Sequence, residues 1–445
     1  AGVQSAVQQL LHEMLTQSVL HLIVVISVGA AALLLAAVLM CIGCNALAFL
    51  IDTPQMRQNA WQGTQVLCSD GATPQMVGGF KSAQLDNFTA VLMIKTAAYT
   101  GQQTLMEKAL GGYRAELAAE EGQSGWEAFC TYGDGSQTHD GGLSYTRYWH
   151  GYTLPLRLLL CVMDLANSQM LLYFVQTALF AAVLLLMAKR GLCRVMPALF
   201  LAYFLIMPMA AGVCLQYAPA TLVMLLACCA VLAWDEKIDA AVGLPAFFAL
   251  VGLVTNFVDL LTFPLVTLGF PLALLIALRL KTEDSVCCVF ARTVACCACW
   301  ALGYGGMWAL KWVLAGAAFG WERFYGIFTQ IFLRVSSESG GEQLSRFGVL
   351  KMNLDVILAK KSYLLLMGAT GFGVALASVS RMIRGAKIDM RALALLVPAA
   401  VPFIWCIVMA NHSFDHTYFT YRNMTMAVMA LYTLIPCIVR EKEIQ

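Results

Sequence analysis

The side chains best suited to chemistry lie in four polar clusters separated by long apolar stretches: Gln84 to Thr89, Arg147 to His150, Asn256 to Asp259, and Asn411 to Asn423. Together they hold carboxylates (Asp86, Asp259), imidazoles (His150, His412, His416), guanidinium groups (Arg147, Arg422) and rings (Trp149, Tyr421). A carboxylate accepts a hydroxyl proton, an arginine grips phosphate with two parallel hydrogen bonds, and an aromatic face stacks on a sugar. The mixture therefore suits sugar or phosphate chemistry at a membrane surface. For any single Trp or Tyr the competing reading is an aromatic belt at the interface.

Three acids compete for the role of base. Asp86 is preferred, because it sits among polar residues just before the apolar run Ala90 to Ala98; it reads equally well as the N-cap of a helix over that run. Asp259 ends an apolar stretch ahead of Pro264, where a turn would also use it. Asp52 follows the first apolar stretch directly. His412 and His416 are spaced i and i+4, but no HExxH or CxxC pattern supplies a further metal ligand, so hydrogen bonding to a phosphate or hydroxyl is the favoured role. No cofactor is indicated, and a divalent metal ion is the one candidate left open. Lys311, flanked by Trp308 and Trp312, either snorkels to an interface or neutralises a lipid phosphate.

These clusters need a scaffold. Hydrophobic residues make up 60% of the chain and charged residues 12%, with a mean hydropathy of +0.73, which excludes an ordinary soluble domain. Hydropathy predicts an all-α polytopic integral membrane protein with about ten transmembrane helices and a large first exoplasmic loop. Residues 1–50 hold an N-terminal segment and the first span, 51–152 the loop with interfacial helices, and 153–445 the helix bundle, with outer loops at 319–362 and 411–423. Lys and Arg gather at the ends of spans two (Lys189, Arg190, Arg194), four (Lys237), six (Arg279, Lys281), eight (Arg381, Arg384, Lys387, Arg391) and ten (Arg440, Lys442). The positive-inside rule makes those ends cytoplasmic, and with them both termini. The four clusters then face outward.

A net charge of +2 and the lack of a basic tract exclude a nucleic-acid partner. Of sixteen cysteines, only Cys68 and Cys130 fall in the polar block, where an oxidising compartment would allow them to bridge. No retention signal closes the sequence, so a bacterial plasma membrane is expected as the location.

In its architecture (one span, a long outer loop, then a bundle of further spans, with Asp52 and Leu85-Asp86-Asn87 in the loop) the chain resembles the GT-C superfamily of membrane glycosyltransferases. The resemblance implies transfer of a sugar from a polyprenyl-phosphate donor to a cell-envelope glycan, lipid or protein acceptor. It also implies an acid of the first loop as base. Asp86 or Asp52 would take the acceptor proton, while Arg422 and Lys311, helped by His412 or His416, would hold the departing lipid phosphate. The rivals are a transporter or lipid flippase, and a membrane acyltransferase using a histidine.

Overall fold

The computed structural model describes residues 35–115, 125–131, 133, 142–282 and 285–440. The predicted first span therefore lies partly outside the described residues. Its visible part, α1 (Leu35–Leu50), breaks at Asp52 into α2 (Pro54–Asp70), which turns away by 97°. Thr53 caps α2 by accepting from the Met56 N–H, and Pro54 fills a first-turn position where a missing N–H costs nothing.

The polar block continues with α3 (Asn87–Ala97), α4 (Leu105–Gly111) and α5 (Gly125–Cys130). Cys68 at the end of α2 is disulfide-bonded to Cys130 at the end of α5, with Cα atoms 5.9 Å apart. The short α6 (Thr153–Val162) then leads into α7 (Leu165–Lys189), with Asp164 capping the latter through the Asn167 N–H.

The bundle follows as α8 (Met196–Leu205), α9 (Pro208–Val213), α10 (Ala218–Ala241), α11 (Leu244–Val258), α12 (Val266–Arg279) and α13 (Val286–Phe319). Next come α14 (Trp321–Val335), α15 (Arg346–Leu358), α16 (Lys361–Ile383) and α17 (Leu396–Val408). The short α18 (Ala410–Asp415) and α19 (Thr417–Thr420) precede the last helix, α20 (Met424–Cys437).

Among the described residues, five helical stretches are long and apolar enough to cross a membrane: α7, α10, α13, α16, and Met390–Val408, which contains α17; the bent pair α1 and α2 makes a sixth if taken as one. The remaining apolar helices are shorter than the expectation of about ten spans requires. At 1.5 Å per residue, the 14 residues of α12 and of α20 reach about 21 Å, against roughly 30 Å of hydrocarbon. Nearly every side chain of α12 is buried, as are most of α20, so both pack among protein neighbours rather than lipid. The segment expected as a third span is broken. Met207 takes a positive φ of 63° and Pro208 restarts the chain as α9.

Close packing is explicit where α11 meets α13. A Cβ on Gly252 would strike the Trp300 carbonyl and one on Gly303 the Ala249 carbonyl, so two glycines facing each other let the backbones approach.

The basic ends do meet. Asp235 near the end of α10 pairs with Arg190 of α7 (2.7 Å) and Arg279 of α12 (3.7 Å). Arg381 of α16 donates to the Pro436 carbonyl of α20, and the strands Lys387–Ile388 and Val439–Arg440 pair antiparallel beside them. From this end α10 and α16 run to the polar clusters, since Tyr217 and Tyr363 at their far ends bond Gln84 and Ser82.

Candidate functional site

The four polar clusters form one layer. The Gly151 N–H donates to the Phe257 carbonyl at 2.8 Å, joining the second cluster to the third. Asn423 accepts from the Leu265 N–H at 3.1 Å, tying the fourth to the segment after the third. Tyr418 adds the first cluster by donating to Asp86 at 3.0 Å across 332 residues of sequence.

Asp86 is 3% exposed. It is the N-cap of α3, with Oδ1 accepting from the Thr89 N–H at 2.8 Å, while Oδ2 accepts from the Thr89 and Tyr418 hydroxyls, each at 3.0 Å. A carboxylate offers about four acceptor positions, so these three leave one for a proton. Burial raises its pKa above the ordinary carboxylate range, opposed by the hydrogen bonds from Thr89 and Tyr418 and by the nearby His416. The cap and the base are thus compatible in one side chain.

His416 stands between charges of both signs. Burial lowers its pKa, Asp86 and Asp415 pull it back up, and Arg334 pushes it down. His412, 4.9 Å away between ring centroids, bonds the Leu261 carbonyl through Nε2 and is kept neutral by burial first and by His416 second. Arg334, which acts on both imidazoles, belongs to the wall of a cavity of about 220 Å³ that also includes Arg147, Tyr148, Trp308, Trp312 and Gln330. Arg147 lies 4.7 Å over the Tyr145 ring and donates to Gln330 Oε1 at 2.5 Å. Arg334 donates to the Tyr148 hydroxyl at 3.3 Å and to Gln330 at the same distance.

Arg334 and Gln330 had no role in the reading from sequence, and Tyr418 entered it only as a member of the fourth cluster. The available signal was on α14, whose Trp321, Tyr325, Phe328 and Phe332 recur with helical spacing and are exposed. The face opposite that aromatic stripe carries Ile327, Gln330, Ile331 and Arg334 into the cavity wall.

Two cations expected to hold phosphate are committed elsewhere. Arg422 is fully buried. Its Nε donates to the Ile206 carbonyl (2.8 Å), Nη1 to Tyr418 (2.9 Å) and Nη2 to Ser82 (2.8 Å), and its plane lies 4.3 Å from the Tyr217 ring. The break after α8 exposes carbonyls that no helical N–H can reach; Arg422 satisfies Ile206, and the Tyr421 hydroxyl donates to Leu205. Lys311 does not snorkel. It is buried over the Trp149 ring, and its ammonium donates to the Leu110 carbonyl in the last turn of α4. Trp149 itself donates to the Met307 carbonyl at 2.9 Å.

The remaining candidates sort in the same way. His150, at a positive φ of 58°, bonds the Tyr145 carbonyl and the Tyr152 hydroxyl, and burial drives its pKa down to about 3. Asp259 is buried in a turn, accepting from the Thr262 N–H and hydroxyl, and burial pushes its pKa up to about 6. Asp52 is 41% exposed at the corner between α1 and α2, paired with Arg57 at 3.1 Å. Among the described residues, no contact brings Asp52 to Asp86, and no three His, Cys, Asp or Glu side chains gather as a metal site requires.

A second opening, an apolar groove of about 190 Å³, runs past Met93, Leu156, Leu172, Leu215 and Leu222. Its Leu215 adjoins Cys214, whose buried thiol lies against Asp86. The layer therefore offers a poised carboxylate, neutral imidazoles, an aromatic cavity with two guanidinium groups, and an apolar groove. The chain matches no protein-family model, no curated protein and no solved structure.

Proposed function

We propose that this is a membrane glycosyltransferase that takes a sugar from a polyprenyl-phosphate donor, with the polar layer on the exoplasmic side. The observation that carries the reading is that His416 lies within electrostatic reach of both Asp86 and Arg334, the latter a wall residue of the aromatic cavity. In this reading Asp86 accepts the acceptor hydroxyl proton as its oxygen bonds to the anomeric carbon with inversion. The bond from that carbon to the donor phosphate oxygen breaks, and its electron pair leaves on the lipid phosphate. Arg147 and Arg334, in place of Arg422 and Lys311, meet the developing negative charge. Trp308 and Trp312 supply stacking faces for the sugar, and the apolar groove beside Leu215 suits the first isoprene units. The acceptor is expected to be a cell-envelope glycan, lipid or protein.

The broken α8–α9 element favours the transporter rival, because transport sites use interrupted helices. Against it, the Leu205 and Ile206 carbonyls freed there already accept from Tyr421 and Arg422. The test is sugar release from a panel of labelled polyprenyl-phosphate sugars by the purified chain in nanodiscs, beside uptake into sealed proteoliposomes. Release that disappears in Asp86→Asn supports the transferase; uptake without release removes it.

A further inference from the structure

The basic end contains an opening of about 620 Å³ between the start of α8, the length of α16 and the end of α20. Arg194, Thr370, Ser380, Arg381 and Arg384 line it. Most other cations of this end are committed to helix C-termini or to acids. Lys281 donates to the Arg190 carbonyl, Arg391 to Leu280, and Arg190 and Arg279 hold Asp235. Asp239 and Asp389 are likewise held, by Arg279 and Arg391.

Arg194 and Arg384 differ. Among the described residues neither is paired with a carboxylate, and Arg194 Nε is buried with no hydrogen-bond partner. Arg381 is anchored to Ser378 and Pro436, which fixes its charge beside them. The groove floor is cut by Ala369, Gly373 and Ala377, which share one face of α16 at spacings of four and leave a trough where larger side chains would fill it. From Thr370 to Arg384 the trough runs about 21 Å along the helix, from its apolar middle to its basic end.

We propose that this groove binds an anionic phospholipid, with its phosphate among Arg194, Arg381 and Arg384 and one acyl chain along the trough. The guanidinium groups of Arg194 and Arg384, with no carboxylate partner among the described residues, and an apolar channel leading from them match a charged headgroup with a chain attached; a free anion would leave the channel without a function.

The full chain, purified in mild detergent, is titrated with short-chain phosphatidylglycerol, short-chain phosphatidylcholine and inorganic phosphate. Thermal unfolding reports protection, and native mass spectrometry counts bound lipid. Phosphatidylglycerol is expected to bind saturably and raise the midpoint, while phosphatidylcholine and inorganic phosphate do neither. Arg384→Gln weakens phosphatidylglycerol roughly fivefold, the equivalent of about 1 kcal/mol per arginine, and adding Arg194→Gln weakens it further by a similar factor. Gly373→Leu, at a position where an added Cβ meets nothing, blocks the trough without disturbing the fold. Equal binding of the two lipids overturns the proposal, as does unchanged affinity in Arg384→Gln and Gly373→Leu, both of which keep the packed core. Protection by inorganic phosphate equal to that by phosphatidylglycerol assigns the arginines to a soluble anion and overturns the lipid.

Discussion

Arg422 and Arg334 are both arginines of the polar layer, yet they do opposite things. Every nitrogen of Arg422 faces a backbone carbonyl from a different segment, inside a box of rings. Arg334 faces a cavity, and its longer bonds go to its own helix and to the side chains of Tyr148 and Gln330. The first arrangement recurs through the molecule. Arg157 gathers the carbonyls of Ala48, Ile51, Ala97 and Tyr99 where α1 and α3 end, Arg346 those of Val335 and Ile407, and Lys311 that of Leu110. Each cation sits where helix C-termini leave carbonyls without N–H partners and where the helix dipole is negative. Buried cations in this chain are mainly helix caps, and a cation bound to side chains at a cavity is the exception that can change partners.

The largest effect follows from removing a cap. Arg422→Met removes the guanidinium donor from three buried carbonyls, of which Ile206 keeps a longer bond from the Tyr421 hydroxyl, at about 1–3 kcal/mol for each carbonyl left without a donor, so the variant is expected to lose its cooperative thermal transition or to unfold many degrees lower. Size-exclusion profile and thermal scan measure this. An Arg422→Met protein as stable as wild type would dissolve the distinction between caps and cavity cations.

Asp86→Asn separates the two roles of one residue. Asparagine caps helices as well as aspartate does, so the Thr89 N–H keeps its acceptor and the midpoint should hold. Loss of the base is expected to cut kcat by a factor of about 10² to 10⁴. Wild-type turnover would remove Asp86 from the mechanism; equal loss of stability and activity would reduce it to a cap.

Arg334→Gln probes the other side of the comparison. With the cavity open and no carbonyl of another helix depending on it, the midpoint should be near wild type while kcat drops roughly 100-fold, as expected for one lost donor to a developing anion. A collapse of stability instead would class Arg334 with Arg422.

The sequence showed which residues were polar but not which groups they would meet. That the basic ends share one end of the bundle was legible because Lys and Arg are written locally, at each helix terminus, and the ends of α7, α10, α12 and α16 do gather with the strand after α20. Asp86 was legible because a cap is read from its own helix. Lys311 and Arg422 were not, since their partners Leu110 and Ile206 lie 201 and 216 residues away and are backbone atoms that any sequence possesses. Of the expected ten or so spans, five to six are evident among the described residues by length and composition. Hydropathy measures apolar side chains without saying whether lipid or protein surrounds them, and α12 and α20 are apolar because the bundle encloses them.

Asp259→Asn tests a buried acid of the turn by its pH dependence. Burial lifts the folded pKa to about 6, above about 3.9 for the unfolded chain, so between these values the native state holds more protons than the unfolded one. That site therefore stabilises the fold below pH about 4 and loses its contribution as pH rises to about 6. Subtracting the variant's stability curve from that of wild type should give a difference that falls with pH across that window and is flat above it. A flat difference throughout would mean that Asp259 titrates normally and is less enclosed than its contacts with Thr262 indicate.

The smallest effect is expected at Asp52, and it sharpens the sorting of the acids. It pairs with Arg57 and lies within electrostatic reach of Lys108, and a pair with side chains 37% and 41% exposed contributes at most about 1 kcal/mol. Asp52→Asn should leave both turnover and the thermal midpoint close to wild type, because the residue lies at the α1–α2 corner rather than beside Tyr418 and His416. Its importance lies in the contrast with Asp86. If Asp52→Asn abolishes sugar release while Asp86→Asn does not, the base belongs at the head of the loop, and the layer around Asp86 is a structural seal between the block and α19. If only Asp86→Asn abolishes it, the acid that helps close the four clusters into one layer is also the one that does chemistry.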